Sequence, residues 1–353
     1  MPRISPWLFR QARRISPLAA TLLPACRDIP SALNELRWIR EHVQATYSRL
    51  HEHQVAKLCG RRGRGEPLQY VLGSQPFGSL DLKCRPGVLI PRSETEAYTY
   101  HLAHLLKSGR LPALRPGQSA RNLGVVDFCS GTGCIPLLLF AELHTSYPRL
   151  TVQGVDISPS AVSLANLNIE HNVSLGNLPT GTDSQGLAIA RGDIFDEEII
   201  ADLGKRSWDV LVSNPPYISR DVWHHGRGQL GYSVRKHEPQ LALVPGEEHC
   251  APDGVAHEDL FYARLLDIGR ALQSKVILLE IGDQSQALRV ATIFHKHDLA
   301  AMAKIELWRD WPDLDRAADE PDALSIIDQQ GQETSLSVKG SGNVRSVFIQ
   351  TTQ

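Results

Sequence analysis

The chain has 353 residues, 42% of them apolar and 22% charged, which allows two domains with a real core and excludes disordered, collagen-like and disulfide-scaffold chains. Thirty-seven basic against thirty-nine acidic residues leave a net charge of −2, without the positive excess that drives sequence-independent binding to nucleic acid. No apolar run approaches the about 20 residues of a membrane span, the six cysteines form no CxxC pair, and the histidines show no zinc-site spacing, so neither a membrane helix nor a metal site is expected.

Residues Met1–Arg27 hold Arg3, Arg10, Arg13, Arg14 and Arg27 and no acid, with Leu8, Ala12, Ile15 and Ala19 at helical spacing. A cationic amphipathic segment of this kind has the composition of a mitochondrial transit peptide, drawn to an anionic, negatively polarised membrane. Residues 1–27 are therefore expected to be a targeting segment and the protein to be mitochondrial, with Pro6 and Pro17 confining any helix in the leader.

From Ala32 the positions Leu36, Ile39, Val43, Tyr47 and Leu50 recur every three or four residues, an amphipathic helix. A second helical stretch around Val55–Cys59 ends at Gly60, and Arg61–Gly65 (RRGRG) is expected to be a solvated basic loop. Residues 28–75 thus read as a small helical domain. Leu80, Leu82 and Cys84 then alternate with Asp81 and Lys83 as in a half-buried strand, and Pro86-Gly87 turns the chain into Val88-Leu89-Ile90, so 76–95 reads as an interdomain hairpin.

After the Pro/Gly/Ser-containing stretch Ser108–Ala120, strand-like runs at Val125–Phe128, Thr151–Val155, Asp209–Val212 and Val276–Ile281 alternate with helical ones. Such alternation implies βαβ units and a mostly parallel sheet, an α/β domain over 96–353. Segments 174–187 and 315–342, rich in Gly, Ser, Asp and Gln and without periodicity, read as surface insertions.

The run VVDFCSGTGC places Asp127 at a strand end, then the turn Cys129-Ser130-Gly131-Thr132-Gly133, then an apolar helix from about Ile135. Glycines here permit a tight turn and close approach of backbone to a ligand, and the absence of GK[ST] excludes a P-loop. Asp156, at the end of the next strand, could accept from both hydroxyls of a ribose, or cap the helix that Ser158 and Pro159 also announce. On these features alone NAD and S-adenosylmethionine both remain.

The chemistry is selected further on, where the strand Asp209–Val212 runs into Ser213-Asn214-Pro215-Pro216-Tyr217. An asparagine oxygen and a proline carbonyl can accept from one planar –NH2 group, while Tyr217 offers a flat face. A planar amide nitrogen is a poor nucleophile because its lone pair is delocalised, on the scale of the about 18–20 kcal/mol rotation barrier. Acceptors that favour a pyramidal nitrogen stabilise the transition state for attack on a methyl sulfonium, and no general base is needed, since the methylated nitrogen releases its proton to water.

Together these residues resemble S-adenosylmethionine-dependent methyltransferases of the N5-glutamine type, which modify peptide-chain release factors. The resemblance runs from about Glu35 to Val347. Its most specific blocks are Glu66-Pro67-Leu68-Gln69-Tyr70-Val71-Leu72-Gly73 and Pro86-Gly87-Val88-Leu89-Ile90-Pro91-Arg92-Ser93-Glu94-Thr95-Glu96. Asp156-Ile157-Ser158-Pro159, Gly192-Asp193-Ile194-Phe195, Val212–Ile218, Glu238-Pro239 and Leu279-Glu280-Ile281-Gly282 follow in the same order.

The resemblance implies a Rossmann-like class I S-adenosylmethionine-dependent methyltransferase fold with a small N-terminal helical domain that helps hold the substrate. It implies S-adenosylmethionine as cofactor, lined by Cys129, Ser130, Gly131, Thr132, Gly133, Asp156 and Asn214, with Asp193 and Ile194 near its adenine. Asn214, Pro215, Pro216 and Tyr217 would be catalytic, holding the glutamine amide of a Gly-Gly-Gln motif in a class I release factor, and Arg92 and Glu94 would help order the site. Two positions depart from the family: Cys129 replaces the first glycine of the turn, and Ser93 stands where bacterial members often have proline. A nucleic-acid N-methyltransferase acting on exocyclic amines is the nearest alternative, disfavoured by the near-neutral charge. A noncatalytic binding protein on the same fold is disfavoured by the intact Gly131, Gly133, Asp156 and Asn214–Tyr217.

Overall fold

In the computed structural model, which describes residues 3–47, 51–111, 114, 122–226, 230–327 and 333–352, helices come first. They are α1 (Pro6–Ile15), α2 (Pro17–Cys26), α3 (Ile29–Tyr47), α4 (Glu52–Gly63) and α5 (Leu68–Leu72). Leu50 and most of the Ser108–Ala120 connector lie outside the described residues. Ser5 and Ser16 cap α1 and α2, each followed by a proline whose missing N–H costs nothing in the first turn.

The stretch that the sequence marks as an address is therefore folded as two helices. Uncharged α2 packs Ala19 and Leu22 among Ala32, Leu36, Ile39 and Val43 of α3 and Val55 and Cys59 of α4. The loop expected at Arg61–Gly65 is largely the last turn of α4. Two of its three positive charges are neutralised in place, because Arg61 pairs with Glu66 and Arg62 donates to both oxygens of Glu35 at 2.7 and 2.8 Å.

Strands β1 (Ser74–Phe77) and β2 (Leu80–Lys83) form the hairpin between the two parts, closed by Gly78 at φ +58°. The expected partner strand Val88–Ile90 is extended chain without a ladder. Side chains satisfy it instead: the Tyr70 hydroxyl donates to the Val88 carbonyl at 2.7 Å, and the Ile90 N–H donates to Glu238 at 3.1 Å.

The second edge of β2 is met by two asparagines of α8 (Pro159–Ser174), both fully buried. Asn172 accepts from the Asp81 N–H (2.9 Å) and donates to its carbonyl (3.0 Å), while Asn168 accepts from the Lys83 N–H at 2.7 Å. Asn168 also donates to the Thr132 carbonyl at 2.9 Å, which joins the hairpin to the glycine turn.

Beyond the hairpin lies a nine-stranded sheet of order β5-β4-β3-β6-β7-β11-β8-β10-β9. Its strands are β3 (Asn122–Phe128), β4 (Arg149–Asp156), β5 (Gln185–Arg191), β6 (Val210–Ser213), β7 (Val276–Glu280), β8 (Ala303–Trp311), β9 (Ala323–Ile327), β10 (Glu333–Lys339) and β11 (Ser341–Thr351). Strands β3 to β7 run parallel, and β11 is antiparallel to both β7 and β8. Helices α6 (Ser93–Lys107) and α7 (Cys134–Leu143) bury one face, and α12 (Leu260–Ala271) and α13 (Gln284–Lys296) the other. The parallel order reverses beside β3, so the ends of β3, β4 and β6 open on one crevice.

The two segments read as insertions contribute to this sheet. Strand β5 starts at Gln185, within the first. The second supplies β9 and β10: Leu336 and Val338 are buried while Ser335 and Ser337 face out, a period of two that serine-rich composition conceals.

Two expectations follow from this packing. Asn168→Ala leaves the Lys83 N–H without its partner and the Thr132 carbonyl short of a donor, and should lower the unfolding free energy by about 2–3 kcal/mol in denaturant titration; a change below about 0.5 kcal/mol would place the hairpin's anchorage elsewhere. His101 is buried edge-on against Trp308 at 4.9 Å, and burial, then the nearby Lys339, push its pKa from 6.5 down to about 4. The unfolded chain takes that proton first, so stability present above pH 6.5 falls as pH drops towards about 4. His101→Phe should flatten this part of the profile, read as unfolding temperatures between about pH 7 and about pH 5.

Candidate active site

After β3 the backbone turns sharply into α7. Cys129, Gly131 and Gly133 adopt φ of +60°, +55° and +80°, the left-handed region. Gly133 is required there, since a β-carbon would stand 2.8 Å from Leu137 and 3.1 Å from Ala165. Cys129 carries a side chain in that region at a cost of roughly 1 kcal/mol.

The turn is bound to the neighbouring strand end. The Ser130 N–H donates to the Val155 carbonyl at 3.2 Å, and the Gly131 N–H donates to one oxygen of Asp156 at 2.8 Å. The other Asp156 oxygen takes the Ser158 N–H at 2.8 Å, while Ser158 itself caps α8. Asp156 is thus oriented by backbone and left with lone pairs for a ligand. Burial raises its pKa, and the two N–H groups draw it back down. Behind the turn Asp127 is fully buried without a partner for either carboxyl oxygen among the described residues, and burial holds its pKa well up.

The turn opens on a cleft lined largely by apolar side chains and backbone. Of the residues singled out in the sequence, Cys129, Ser130, Gly131, Thr132, Asp156, Asp193, Ile194, Asn214 and Pro216 line it. Gly133 sits behind it as the N-cap of α7. Tyr217 faces a second cleft, and Pro215 lines neither. Leu89, Arg92 and Asn214 line both clefts, so they form the wall where the two meet. The Asn214 side chain makes no hydrogen bond to the described residues, which leaves its amide available at that junction.

Several participants were not visible as motifs. Glu280, at the end of β7, is buried in the floor of the second cleft, where its carboxyl accepts from the Thr95 hydroxyl at 2.6 Å and from the Tyr217 hydroxyl at 3.3 Å. Burial pushes this carboxyl up, and the Thr95 hydroxyl partly offsets that. Glu238 accepts from Arg92 at 2.8 and 2.9 Å and from the Ile90 N–H, which fixes the shared wall. Glu94 lines neither cleft and accepts from the Ser93 hydroxyl at 2.9 Å. At the rim of the first cleft His249 stacks on Phe195, ring centres 3.9 Å apart. The only signal for Glu238 and Glu280 was their place in family blocks, because their partners lie 146 and 185 residues away along the chain.

A parallel sheet with a glycine turn after its first strand, an acid ending the second and an Asn-Pro-Pro-Tyr turn after the fourth defines a class I α/β methyltransferase. Residues 113–226 match the methyltransferase small domain family. The probable MRF1 mitochondrial N(5)-glutamine methyltransferase mtq1 of Schizosaccharomyces pombe is 32% identical over 307 residues, 83% of this chain and 89% of that protein. The mitochondrial MRF1 N(5)-glutamine methyltransferase MTQ1 of Saccharomyces cerevisiae is 32% identical over 311 residues, 86% and 88% of the two chains. The release factor glutamine methyltransferase of Pasteurella multocida is 33% identical over 258 residues, 70% and 75% of the two chains. The chain belongs to the release factor glutamine methyltransferase family.

Tyr217 provides a test of the second cleft. Tyr217→Ala removes both the ring and its hydrogen bond to Glu280, and should lower methyl transfer about 100-fold through misplacement of the acceptor, with donor affinity by calorimetry unchanged. Tyr217→Phe keeps the ring and should retain most of the activity; equal losses in the two variants would make the hydroxyl, not the face, the working part.

Proposed function

We propose that the chain transfers the methyl group of S-adenosylmethionine to the side-chain amide nitrogen of the glutamine in a Gly-Gly-Gln segment of a class I peptide-chain release factor, in the mitochondrion. The observation that carries this reading is the position of Asn214, an amide without a hydrogen-bond partner among the described residues on the wall common to both clefts. The names of the two yeast relatives, which specify MRF1 and the mitochondrion, support the substrate and the compartment.

The first cleft fits the donor on its own chemistry. Asp156 has lone pairs free for ribose hydroxyls, Ile194 and Phe195 offer apolar surface for a purine, and Cys129–Gly131 bring backbone to the cleft edge. S-adenosylmethionine bound there supplies an electrophilic methyl sulfonium. The remaining work belongs to the protein. The Asn214 oxygen accepts from the substrate –NH2 and draws its lone pair out of conjugation, Tyr217 flanks the amide from the second cleft, and Glu280 and Thr95 hold Tyr217 in place. The proton of the methylated nitrogen leaves to water.

Incubation of the purified full chain with labelled donor and a mitochondrial release factor should place one methyl group on the glutamine of Gly-Gly-Gln and none on a Gly-Gly-Ala variant, as read by mass spectrometry. Asn214→Ala should reduce transfer about 100-fold or more while the donor still protects the protein against heat. Label in added RNA or DNA, or wild-type turnover by Asn214→Ala, would overturn the assignment.

A further inference from the structure

The first two helices differ in kind. Helix α1 turns only a narrow side inward, with Leu8 and Ala12 against Ala20 and Leu23 of α2 and Ile29. Its outer surface carries Arg10, Arg13 and Arg14 together with Trp7, Phe9 and Ile15, all exposed. Helix α2 is packed on both sides: Ala20 and Leu23 meet α1, while Ala19 and Leu22, each 0% exposed, enter the core of α3 and α4. A β-carbon on Gly63 would stand 2.2 Å from the Thr21 carbonyl oxygen, so α4 rests directly on the α2 backbone. Between the two helices the chain is extended only at Ser16, φ −158° and ψ 129°.

We propose that α1 is the targeting element and α2 a permanent part of the substrate-holding helical domain, so that amino-terminal maturation cuts no later than the Ser16 corner. The inference rests on the mitochondrial reading above. The cut itself is the hydrolysis of one peptide bond by an endopeptidase of the importing compartment, water supplying the new carboxylate oxygen and the amine hydrogen. Loss of α1 uncovers only Ala20, Leu23 and their rim, whereas a cut after Arg27 strips Ala19 and Leu22 from the core and leaves Ala32, Leu36, Ile39 and Val43 facing water. The exposed arginines of α1 lie away from that core, where a receptor or an anionic membrane can read them.

The test combines import into isolated mitochondria with assays of the purified full-length protein. Mass spectrometry of the imported chain should find its first residue no later than Pro17. The double variant Arg13→Glu, Arg14→Glu should lose import yet, once purified, unfold and methylate release factor as the wild type does. Leu22→Asp should be imported normally but lose methylation of release factor, because a charge has been put in the core. Leu22→Ala, which leaves a cavity rather than a charge, should raise KM for release factor and lower the unfolding temperature, without changing donor affinity. An active imported enzyme beginning beyond Pro17, or a Leu22→Asp protein with wild-type KM, would overturn the proposal. So would arginine variants that import normally but fail to methylate, since α1 would then be a docking surface. A wild-type chain that stays outside mitochondria refutes the address together with the localisation, and the Leu22 assays on purified protein still decide the role of α2.

Discussion

Two amides on one buried turn of helix set the geometry of the whole molecule. Asn168 and Asn172 of α8 replace the strand that would otherwise pair with the open edge of β2, and Asn168 reaches on to the carbonyl of Thr132. An unpaired strand edge inside a protein must find donors and acceptors somewhere. Supplying them from α8 ties the hairpin, and through it the helical domain, to the turn at the mouth of the first cleft. The position of the helical domain relative to the first cleft is thereby set by side-chain hydrogen bonds as well as by chain connectivity.

A second tie runs on the opposite side of the clefts. Glu238 follows α11 (Tyr232–His237) and holds both Arg92 and the backbone of Ile90, while Ser233 on the same helix donates to the Gly65 carbonyl at 2.9 Å. One short segment after Asn-Pro-Pro-Tyr therefore touches the helical domain, the connecting chain at Ile90 and the wall common to both clefts. The Arg92 guanidinium, paired with a carboxylate buried from water, fixes part of the wall common to both clefts. Pairing of this kind is costly to break, because the carboxylate left behind has no access to solvent.

What could be read along the chain was local. The glycine turn, Asp156 and the Asn214–Tyr217 run depend on backbone conformation and residue type within a few positions, and alternating strand and helix patterns revealed the sheet. Glu238, Glu280 and Asn168 carry no local pattern; each acquires its meaning from partners brought near by the fold. The serine-rich β10 hid its alternation behind small polar residues. The RRGRG run reads as solvated along the chain because Glu35 and Glu66, which pair with Arg62 and Arg61, carry no local signal. The amino terminus is the most instructive case: a segment with the composition of a targeting peptide and a buried apolar helix share the absence of acids, and only the contacts of Ala19 and Leu22 separate them.

Cys129 gives the first cleft a chemical property that a glycine there could not. A methyl sulfonium alkylates thiolates readily, so with S-adenosylmethionine bound as proposed a sulfur on the wall of this cleft would be a hazard to the enzyme itself. Burial, reinforced by the neighbouring Asp156 carboxylate, pushes this thiol well above its ordinary pKa and keeps it protonated. The same desolvation that makes the cleft a good place for a nucleoside makes its cysteine a poor nucleophile. The turn can therefore hold sulfur beside an alkylating reagent without becoming a suicide substrate.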